Sequence, residues 1–336
     1  MKLAEKQDQN LWRSGALEYI PQEYNSYKGA LQKAREDLVH ENFKLVWFRD
    51  YTIIQSEFRE ALQTGNLLFS KIEQKKQELS ESIAGKISFF QNRINTLKGL
   101  TSMINEGRLA REDLIKAEVI LLETQKRYEN NDLKSAGEKI NALSLYINAA
   151  ENTLLNILNR YTDKNQITKW QQWVEDTITE SGKKKILSIV INKSERTLTV
   201  YRRGIVYKTY KIGLGRNGSG DKLHRGDNAT PEGRYRIINK LKHSRYHKAL
   251  LINYPNEDDQ KQFLLAKEKG LVPKDVSIGG LIEIHGGGRD SMTYGCIAMD
   301  NLMIDELFSI AKVGTPVTIV GAVDFQNSIS SAIKGL

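Results

Sequence analysis

Hydrophobic residues in the first half of the chain recur with the period of an α-helix. Steps of three and four connect Ile140, Leu143, Ile147, Ala150, Leu154, Ile157 and Tyr161, and a shorter run of the same kind connects Tyr27, Leu31, Ala34 and Leu38. Such a seam is typical of one helix packed on another. We predict long helices in an antiparallel bundle or hairpin stack, with coiled-coil packing, that end near Gly107 and Asn130–Asp132. A tetratricopeptide-like repeat is less favoured because the sequence has no fixed period.

The second half changes to short β-branched segments bounded by polar turns, which is typical of strands. The predicted strands cover residues 186–191, 197–201, 206–212, 234–238, 281–284 and 317–320. Helices are predicted at about 258–269 and 301–312, the second capped by Asp300 or Asn301. Many short strands with glycine turns indicate a mostly-β, sandwich-like domain with one or two helices.

The distribution of helix-breaking residues places the boundary between these halves near Gly182. Four of the five prolines and 17 of the 25 glycines follow it. We therefore predict an all-α helical domain at 1–182, a β domain at 183–324 and a C-terminal tail at 325–336, an α + β multidomain chain. Its 336 residues suit about two domains.

Composition excludes several classes of protein. With 40% hydrophobic and 27% charged residues the chain can form a packed core, and no apolar run reaches the ~18 residues of a membrane span. The single cysteine excludes an internal disulfide and multi-cysteine zinc sites. The first ten residues lack the apolar region of a secretory signal, so we expect a signal or anchor, if there is one, to lie outside this sequence.

The net positive charge of the chain is confined to its second half. Residues 1–182 carry 25 Lys and Arg against 26 Asp and Glu, whereas residues 183–336 carry 25 against 15. A basic domain suits an anionic partner such as nucleic acid, a membrane surface or a cell wall. No finger, basic zipper or aromatic-basic RNA motif is present, so nucleic acid is not a predicted partner.

Two motifs resemble known sites but lack the context these sites need. Residues 213–218 fit the dinucleotide pattern G-x-G-x-x-G, yet loop residues rather than a helix follow. His285-Gly286-Gly287-Gly288 resembles an esterase oxyanion motif, but the chain has no G-x-S-x-G elbow. His224, His243 and His247 have no carboxylate or cysteine at metal-ligand spacing, so neither a metal nor a cofactor is predicted.

The candidate chemistry lies around the only cysteine. Cys296 follows Thr293-Tyr294-Gly295, and His285 ends an apolar strand eleven positions earlier. A histidine that takes the thiol proton would make Cys296 a nucleophile. Gly295 would let the amides of Tyr294, Gly295 and Cys296 converge on an oxyanion. On these residues alone, a buried structural cysteine is as plausible as a catalytic one.

Several ordered motifs over residues 184–322 resemble the L,D-transpeptidase catalytic domain family (YkuD-type), which acts on the bacterial cell wall. These are His285-Gly286, Thr293-Tyr294-Gly295-Cys296, Ile297, Asn301 and the G-D-x-x-T-P-E-G-x-Y stretch at 226–235. Segments 244–247 and 254–256 also resemble family segments.

The resemblance implies roles for single positions. Cys296 would be the nucleophile, His285 its base and later acid, the Gly286 carbonyl would orient the imidazole, and Thr293 would brace the turn. Tyr246, His247 and Asn301 would line the substrate cleft. The chain departs from the family's commonest pattern by Tyr294 in place of histidine, by Ala298 in place of arginine, and by a short His-to-Cys interval. The pattern is similar to a subgroup with compact active-site loops. Because the arginine that could hold a substrate carboxylate is missing, the identity of the donor peptide is left undetermined.

The resemblance implies a peptidoglycan L,D-transpeptidase of the cell envelope, periplasmic or extracytoplasmic, whose cysteine thioester on stem tetrapeptides serves wall cross-linking and cell shape. Two alternatives are a same-fold peptidase that trims stems or releases wall-linked proteins, with carboxypeptidase or endopeptidase activity, and a non-catalytic wall-binding scaffold. We expect the helical half to be a spacer or a dock for an envelope protein, so a fragment lacking residues 1–182 should stay active.

Overall fold

The computed structural model describes residues 1–335, which form ten α-helices and eight β-strands in that part of the chain. The helices are α1 Lys2–Arg13, α2 Ala16–Tyr19, α3 Pro21–Phe43, α4 Thr52–Met103, α5 Arg111–Glu129, α6 Leu133–Leu158, α7 Lys164–Lys184, α8 Glu257–Glu268, α9 Asn301–Ile310 and α10 Ser328–Ile333. The strands are β1 Leu187–Asn192, β2 Thr197–Arg202, β3 Ile205–Lys211, β4 Gly233–Ser244, β5 His247–Ile252, β6 Glu283–His285, β7 Ile297–Ala298 and β8 Pro316–Val320. A helical N-terminal region followed by a β domain confirms the predicted fold class.

The chain divides into two compact units, one formed by residues 1–90 and 120–141 and the other by residues 91–119 and 142 onward. The predicted boundary at 182 marks the change from helix to strand, whereas the second unit already includes α7 and the last part of α6. The assignment of 1–182 as a separate helical domain stays a prediction.

The first unit is helical and contains a hairpin of α3 and the first part of α4. Tyr27, Leu31 and Ala34 are buried in its core with residues of α1 and α4, and Leu38 packs against it. Lys33 pairs with Glu57, and Lys71 with Glu23, so the two helices run antiparallel.

The seam of α6 is buried as predicted except at one step. Ile140, Leu143, Ile147, Ala150 and Leu154 are buried, but Leu158 is buried in place of the predicted Ile157. A step of four at this point follows the 3.6-residue period of a straight helix better than a strict heptad does.

The second unit is built on one sheet with the strand order β3-β2-β1-β8-β4-β5-β6-β7. Most neighbours are antiparallel, whereas β1 with β8 and β6 with β7 are parallel. Apolar side chains at every second position of the strands and apolar residues of α9 form one continuous core. Helix α7 covers the opposite face of β1 and β8, where Thr177 and Thr318 hydrogen-bond at 2.6 Å.

All six predicted strands are present, with ends shifted by a few residues, and β4 extends six residues further than predicted. The sequence analysis missed β5 and β7. The predicted tail contains the short helix α10, whose cap residue Asn327 is buried and donates to the Tyr161 carbonyl at 3.0 Å. Among residues 1–335, none of the helices is both long and apolar enough to cross a bilayer.

Candidate active site

Cys296 and His285 lie on the two parallel strands at the end of the sheet. The register pairs Ile284 with Ile297 and His285 with Ala298, and Cys296 immediately precedes β7. Both isoleucines are buried in the core. Because side chains alternate along a strand, His285 and Cys296 share the opposite face as diagonal neighbours. Strand spacing and rise place their Cα atoms about 8 Å apart, within reach of an imidazole and a thiol.

The imidazole of His285 is fixed from two sides. It is buried, and its Nδ1 lies 2.6 Å from the carbonyl of Gly286. This contact assigns the proton to Nδ1 and leaves Nε2 free to accept one. The ring of Tyr246 stacks on the imidazole at 4.4 Å between centroids. Burial lowers the pKa of His285, against the smaller opposing effect of the Gly286 carbonyl, so the ring is neutral at neutral pH.

A glycine-rich loop follows His285 and packs tightly. A Cβ on Gly286 would lie 2.6 Å from Asn301 Oδ1 and 2.7 Å from the Tyr246 carbonyl oxygen. Asn301 Oδ1 in turn accepts from the Gly287 amide at 2.8 Å. Asn301 and Tyr246 therefore contact the segment that carries His285.

The turn of residues 293–296, the cysteine turn, is closed by the Thr293 hydroxyl. This hydroxyl accepts from the Gly295 amide at 3.2 Å and donates to the Cys296 carbonyl at 2.7 Å. Gly295 has a φ of +131°, and a Cβ there would lie 2.6 Å from the Ala229 carbonyl oxygen. Since Thr293 occupies the Gly295 amide, the amides of Tyr294 and Cys296 are the ones left without a protein acceptor within residues 1–335.

The thiol itself points away from the imidazole. Cys296 Sγ donates to the carbonyl of Leu281 at 3.7 Å, and within residues 1–335 it has no hydrogen bond to His285. Burial raises the pKa of the Cys296 thiol. A hydrogen bond with the Glu283 backbone and, more weakly, the charge of Lys222 oppose this effect. The arrangement therefore pairs a neutral thiol with a neutral base, and a thiolate would form only as the proton is taken up.

A cleft of about 280 Å³ opens at the thiol. Its lining residues are Lys222, Arg225, Gly226, Asn228, Gly279, Gly280, Leu281, Ile282, Tyr294 and Cys296. Lys222 is buried and pairs with Asp227 at 2.7 Å. Arg225 is exposed, and its guanidinium has no ion pair within the described part of the chain. The lining of the cleft thus includes an arginine without an ion pair, at a position that the sequence analysis did not single out.

The three residues predicted to line the substrate cleft are not among the lining residues of this cavity, and that assignment stays a prediction. Tyr246 and Asn301 contact the His285–Gly287 segment, and His247 pairs with Asp305 of α9 at 2.7 Å. The residues found instead, Lys222 and Arg225, lie four and one positions before the G-D-x-x-T-P-E-G stretch, which was the available signal.

The glycines of the dinucleotide-like motif have a packing role. The Gly213 amide donates to the Ala298 carbonyl at 2.8 Å, and the Ala298 amide donates back at 3.0 Å. A Cβ on Gly213 would lie 2.1 Å from the Arg289 carbonyl oxygen, and one on Gly215 would lie 2.9 Å from Gly295 Cα. These glycines let the loop lie against both sides of the cysteine turn.

The second unit is similar in sequence to known proteins. Residues 187–319 match the family model of the L,D-transpeptidase catalytic domain, YkuD. The resemblance found in the sequence is thereby confirmed over residues 187–319.

A particular relative is YafK of Escherichia coli (strain K12), itself described as a candidate L,D-transpeptidase. It is 36% identical over 147 residues, which cover 42% of this chain and 52% of YafK, and the E. coli O157:H7 protein matches equally. The chain spans about half the length of these curated relatives.

Among solved structures, L,D-transpeptidase 1 of Mycobacterium tuberculosis is 19% identical, covers 40% of this chain and 62% of its own, and has a TM-score of 0.26. The L,D-transpeptidase of Enterococcus faecium is 16% identical, covers 40% and 49%, and has a TM-score of 0.26.

Proposed function

We propose that the second unit is a cysteine-dependent peptidoglycan L,D-transpeptidase. The observation that carries the proposal is the parallel pairing of β6 with β7, which brings Cys296 next to a histidine whose Nδ1 is fixed by the Gly286 carbonyl. A nucleophile, a base and a third orienting group in this order are what acyl transfer needs.

The acylation step follows from these positions. The thiol rotates from the Leu281 carbonyl towards His285, whose Nε2 takes its proton. Sγ attacks the carbonyl carbon of the third residue of a stem tetrapeptide, and the amides of Tyr294 and Cys296 stabilise the oxyanion. As the intermediate collapses, the C–N bond breaks, the imidazolium gives its proton to the departing D-Ala amine, and a thioester remains.

The second step consumes the thioester. An amine of a neighbouring stem peptide attacks the thioester carbonyl and gives its proton to His285. The C–S bond breaks, the proton returns to sulfur, and a 3→3 cross-link is released. This chemistry uses only the side chains and amides described above.

The basic surface of this unit supports an anionic wall as the partner, and the substrate class supports an envelope location. An envelope protein bound by the helical half is a further part of the proposal. Wall binding of this kind should weaken as ionic strength rises from low salt to well above 0.15 M. A binding constant that does not change with salt would contradict the electrostatic part.

Defined muropeptides test the reaction. Incubation of the protein with a tetrapeptide donor and an acceptor stem, read by mass spectrometry, should yield a cross-linked dimer and free D-Ala. If only shortened monomers are found, the protein hydrolyses the thioester instead of transferring the acyl group to an acceptor stem. Covalent labelling with a carbapenem should occur for the unaltered protein and be lost in Cys296→Ala and in His285→Gln; equal labelling of Cys296→Ala would overturn the assignment.

A further inference from the structure

Residues of the helical part contact the site indirectly through a buried carboxylate. Glu106 lies in a short 3-10 turn, Asn105–Leu109, which belongs to the same compact unit as the strands. Only 3% of Glu106 is exposed. Its two oxygens accept from the amide and the hydroxyl of Ser219, at 2.8 and 3.0 Å. A glutamate is almost never buried in this way without partners, so these bonds define its position.

The neighbours of Glu106 hold the same loop. Asn105 Nδ2 donates to the Gly215 carbonyl at 2.8 Å. Arg108 donates to the Arg216 carbonyl at 2.9 Å and to Asn217 Oδ1 at 2.6 Å. We call residues 105–108 the 105–108 segment and residues 213–219 the 213–219 loop. The segment thus bonds to four positions of the loop, residues 215, 216, 217 and 219.

The other side of the 213–219 loop holds the cysteine turn. The Arg216 amide donates to the Thr293 carbonyl at 2.8 Å, and the Gly213 and Ala298 backbones exchange two hydrogen bonds. The loop is therefore bonded just before and just after Cys296. Any displacement of the loop moves the amides of Tyr294 and Cys296 relative to His285.

We propose that the 105–108 segment, and Glu106 above all, is a positioning element of the active site. The inference rests on the proposed function, because it concerns how that function's oxyanion amides and thiol are held. Acyl transfer depends on the placement of such groups to a fraction of an ångström, and a misplacement of about 1 Å can reduce the rate about 100-fold. Glu106 touches neither thiol nor cleft, so it acts through the loop.

This inference changes the expectation for the helical half. A fragment without residues 1–182 lacks Asn105, Glu106 and Arg108, and it also lacks Arg160 and Trp170, whose side chains donate to Glu232 at 2.6 and 3.1 Å. Such a fragment should lose activity, in contrast to the behaviour expected of a simple spacer.

The test uses the full chain with the variants Glu106→Ala and Glu106→Gln. The control is Glu112→Ala, which removes an exposed glutamate in the first turn of α5 that pairs with Lys116. We expect Glu106→Ala to lower the rate of acylation of Cys296 by a carbapenem by about 10- to 100-fold. Glu106→Gln should recover most of it, because its amide oxygen can accept from the Ser219 amide and its NH₂ can donate to the hydroxyl. The control should match the unaltered protein.

Alkylation by iodoacetamide separates positioning from a general loss of the site. This reagent needs only an accessible thiolate and no oxyanion donor, so Glu106→Ala should be alkylated at least as fast as the unaltered protein. Equal acylation of Glu106→Ala and the unaltered protein would overturn the inference. If Glu106→Ala does not fold, Arg108→Ala provides the same test, because Arg108 is half-buried and bonds to the same loop. We expect a smaller loss of acylation rate for this variant. If the unaltered protein is itself not acylated, the proposed function fails rather than the positioning role alone.

Discussion

The ring of Tyr246 lies flat against the imidazole of His285, with 4.4 Å between centroids and 23° between planes. The same histidine is held by the Gly286 carbonyl through Nδ1. One contact fixes the plane of the imidazole and the other fixes its rotation in that plane. Together they define where Nε2 can meet the thiol.

Replacing Tyr246 tests the first contact. Tyr246→Ala should lower the acylation rate about tenfold, since the imidazole loses the wall that sets its orientation. Tyr246→Phe keeps the ring and should stay close to the unaltered protein. The control is Tyr207→Ala, which removes an exposed ring on β3. A Tyr246→Ala variant that acylates normally would mean that the Gly286 contact suffices.

The pH dependence of acylation reports whether thiol and imidazole are neutral at rest. Burial lowers the pKa of His285 below its ordinary value of 6.5. A base must be unprotonated to act, so the acidic limb of the kcat/KM profile should lie below pH 6.5 and activity should be flat through neutrality. Burial also raises the pKa of Cys296, so alkylation by iodoacetamide should still climb above pH 9. A fast, pH-independent alkylation near neutrality would instead indicate a preformed thiolate–imidazolium pair.

The hydroxyl of Thr293 closes the cysteine turn by bonding two of its backbone groups. Thr293→Ala removes both bonds, frees the Gly295 amide and should lower the acylation rate about tenfold through loss of turn geometry. Thr293→Ser keeps the hydroxyl and should retain most activity. Thr209→Ala, an exposed threonine on β3 that bonds Thr199, serves as the control. Equal rates for Thr293→Ala and Thr293→Ser would exclude the bridging role.

The proximity of Cys296 and His285 could be predicted from sequence because its signal is local. The motif around Cys296 and the strand that ends at His285 are each a few residues long, and hydrophobic alternation placed most strands correctly. By contrast, β7 has only two residues, and it exists because β6 supplies its hydrogen bonds. Strand β5 was missed because its run of buried Ala249 and Leu250 does not alternate.

The supporting contacts could not be predicted because they join distant parts of the chain. Glu106 resembles an ordinary surface acid at a helix end, and only its pairing with Ser219, 113 positions later, explains its burial. The resembled family often has an arginine two positions after the cysteine, where this chain has Ala298, buried in β7. Arg225 occupies the cleft from a different loop, which sequence spacing does not reveal.

Stability should respond to pH through Asp221, which accepts from the Glu232 amide at 2.8 Å. Burial, followed by the charge of Glu232, raises the pKa of Asp221 from 3.8 to about 7. Between these values the folded chain holds a proton that the unfolded chain has released, so the free energy of unfolding falls as pH rises from 3.8 to about 7. Asp221→Asn keeps the acceptor without this dependence and should gain stability relative to the unaltered protein over that range.

Urea unfolding at several pH values between 4 and 8 measures this difference. The matched control is Asp176→Asn, which removes an exposed aspartate paired with Arg234; it keeps Asp221, so its stability should follow that of the unaltered protein across this pH range. Parallel stability curves for Asp221→Asn and the unaltered protein would mean that Asp221 is ionised in the folded state across the whole range.

Arg225 should determine how well the cleft holds an acidic substrate. Arg225 lines the cleft of Cys296, and its guanidinium has no ion pair within residues 1–335, so a substrate carboxylate would be its partner. A charge-assisted hydrogen bond contributes roughly 1.5–3 kcal/mol. Arg225→Ala should therefore raise KM for a carboxylate-bearing donor peptide about tenfold or more with little change in kcat, and the effect should shrink at high salt.

The KM of Arg225→Lys should lie between those of the unaltered protein and Arg225→Ala, because a lysine cannot bind a carboxylate with two parallel bonds. Arg202→Ala, whose guanidinium stacks on Tyr207 and lines another cavity, should leave KM unchanged. An unchanged KM in Arg225→Ala would show that the donor carboxylate binds elsewhere.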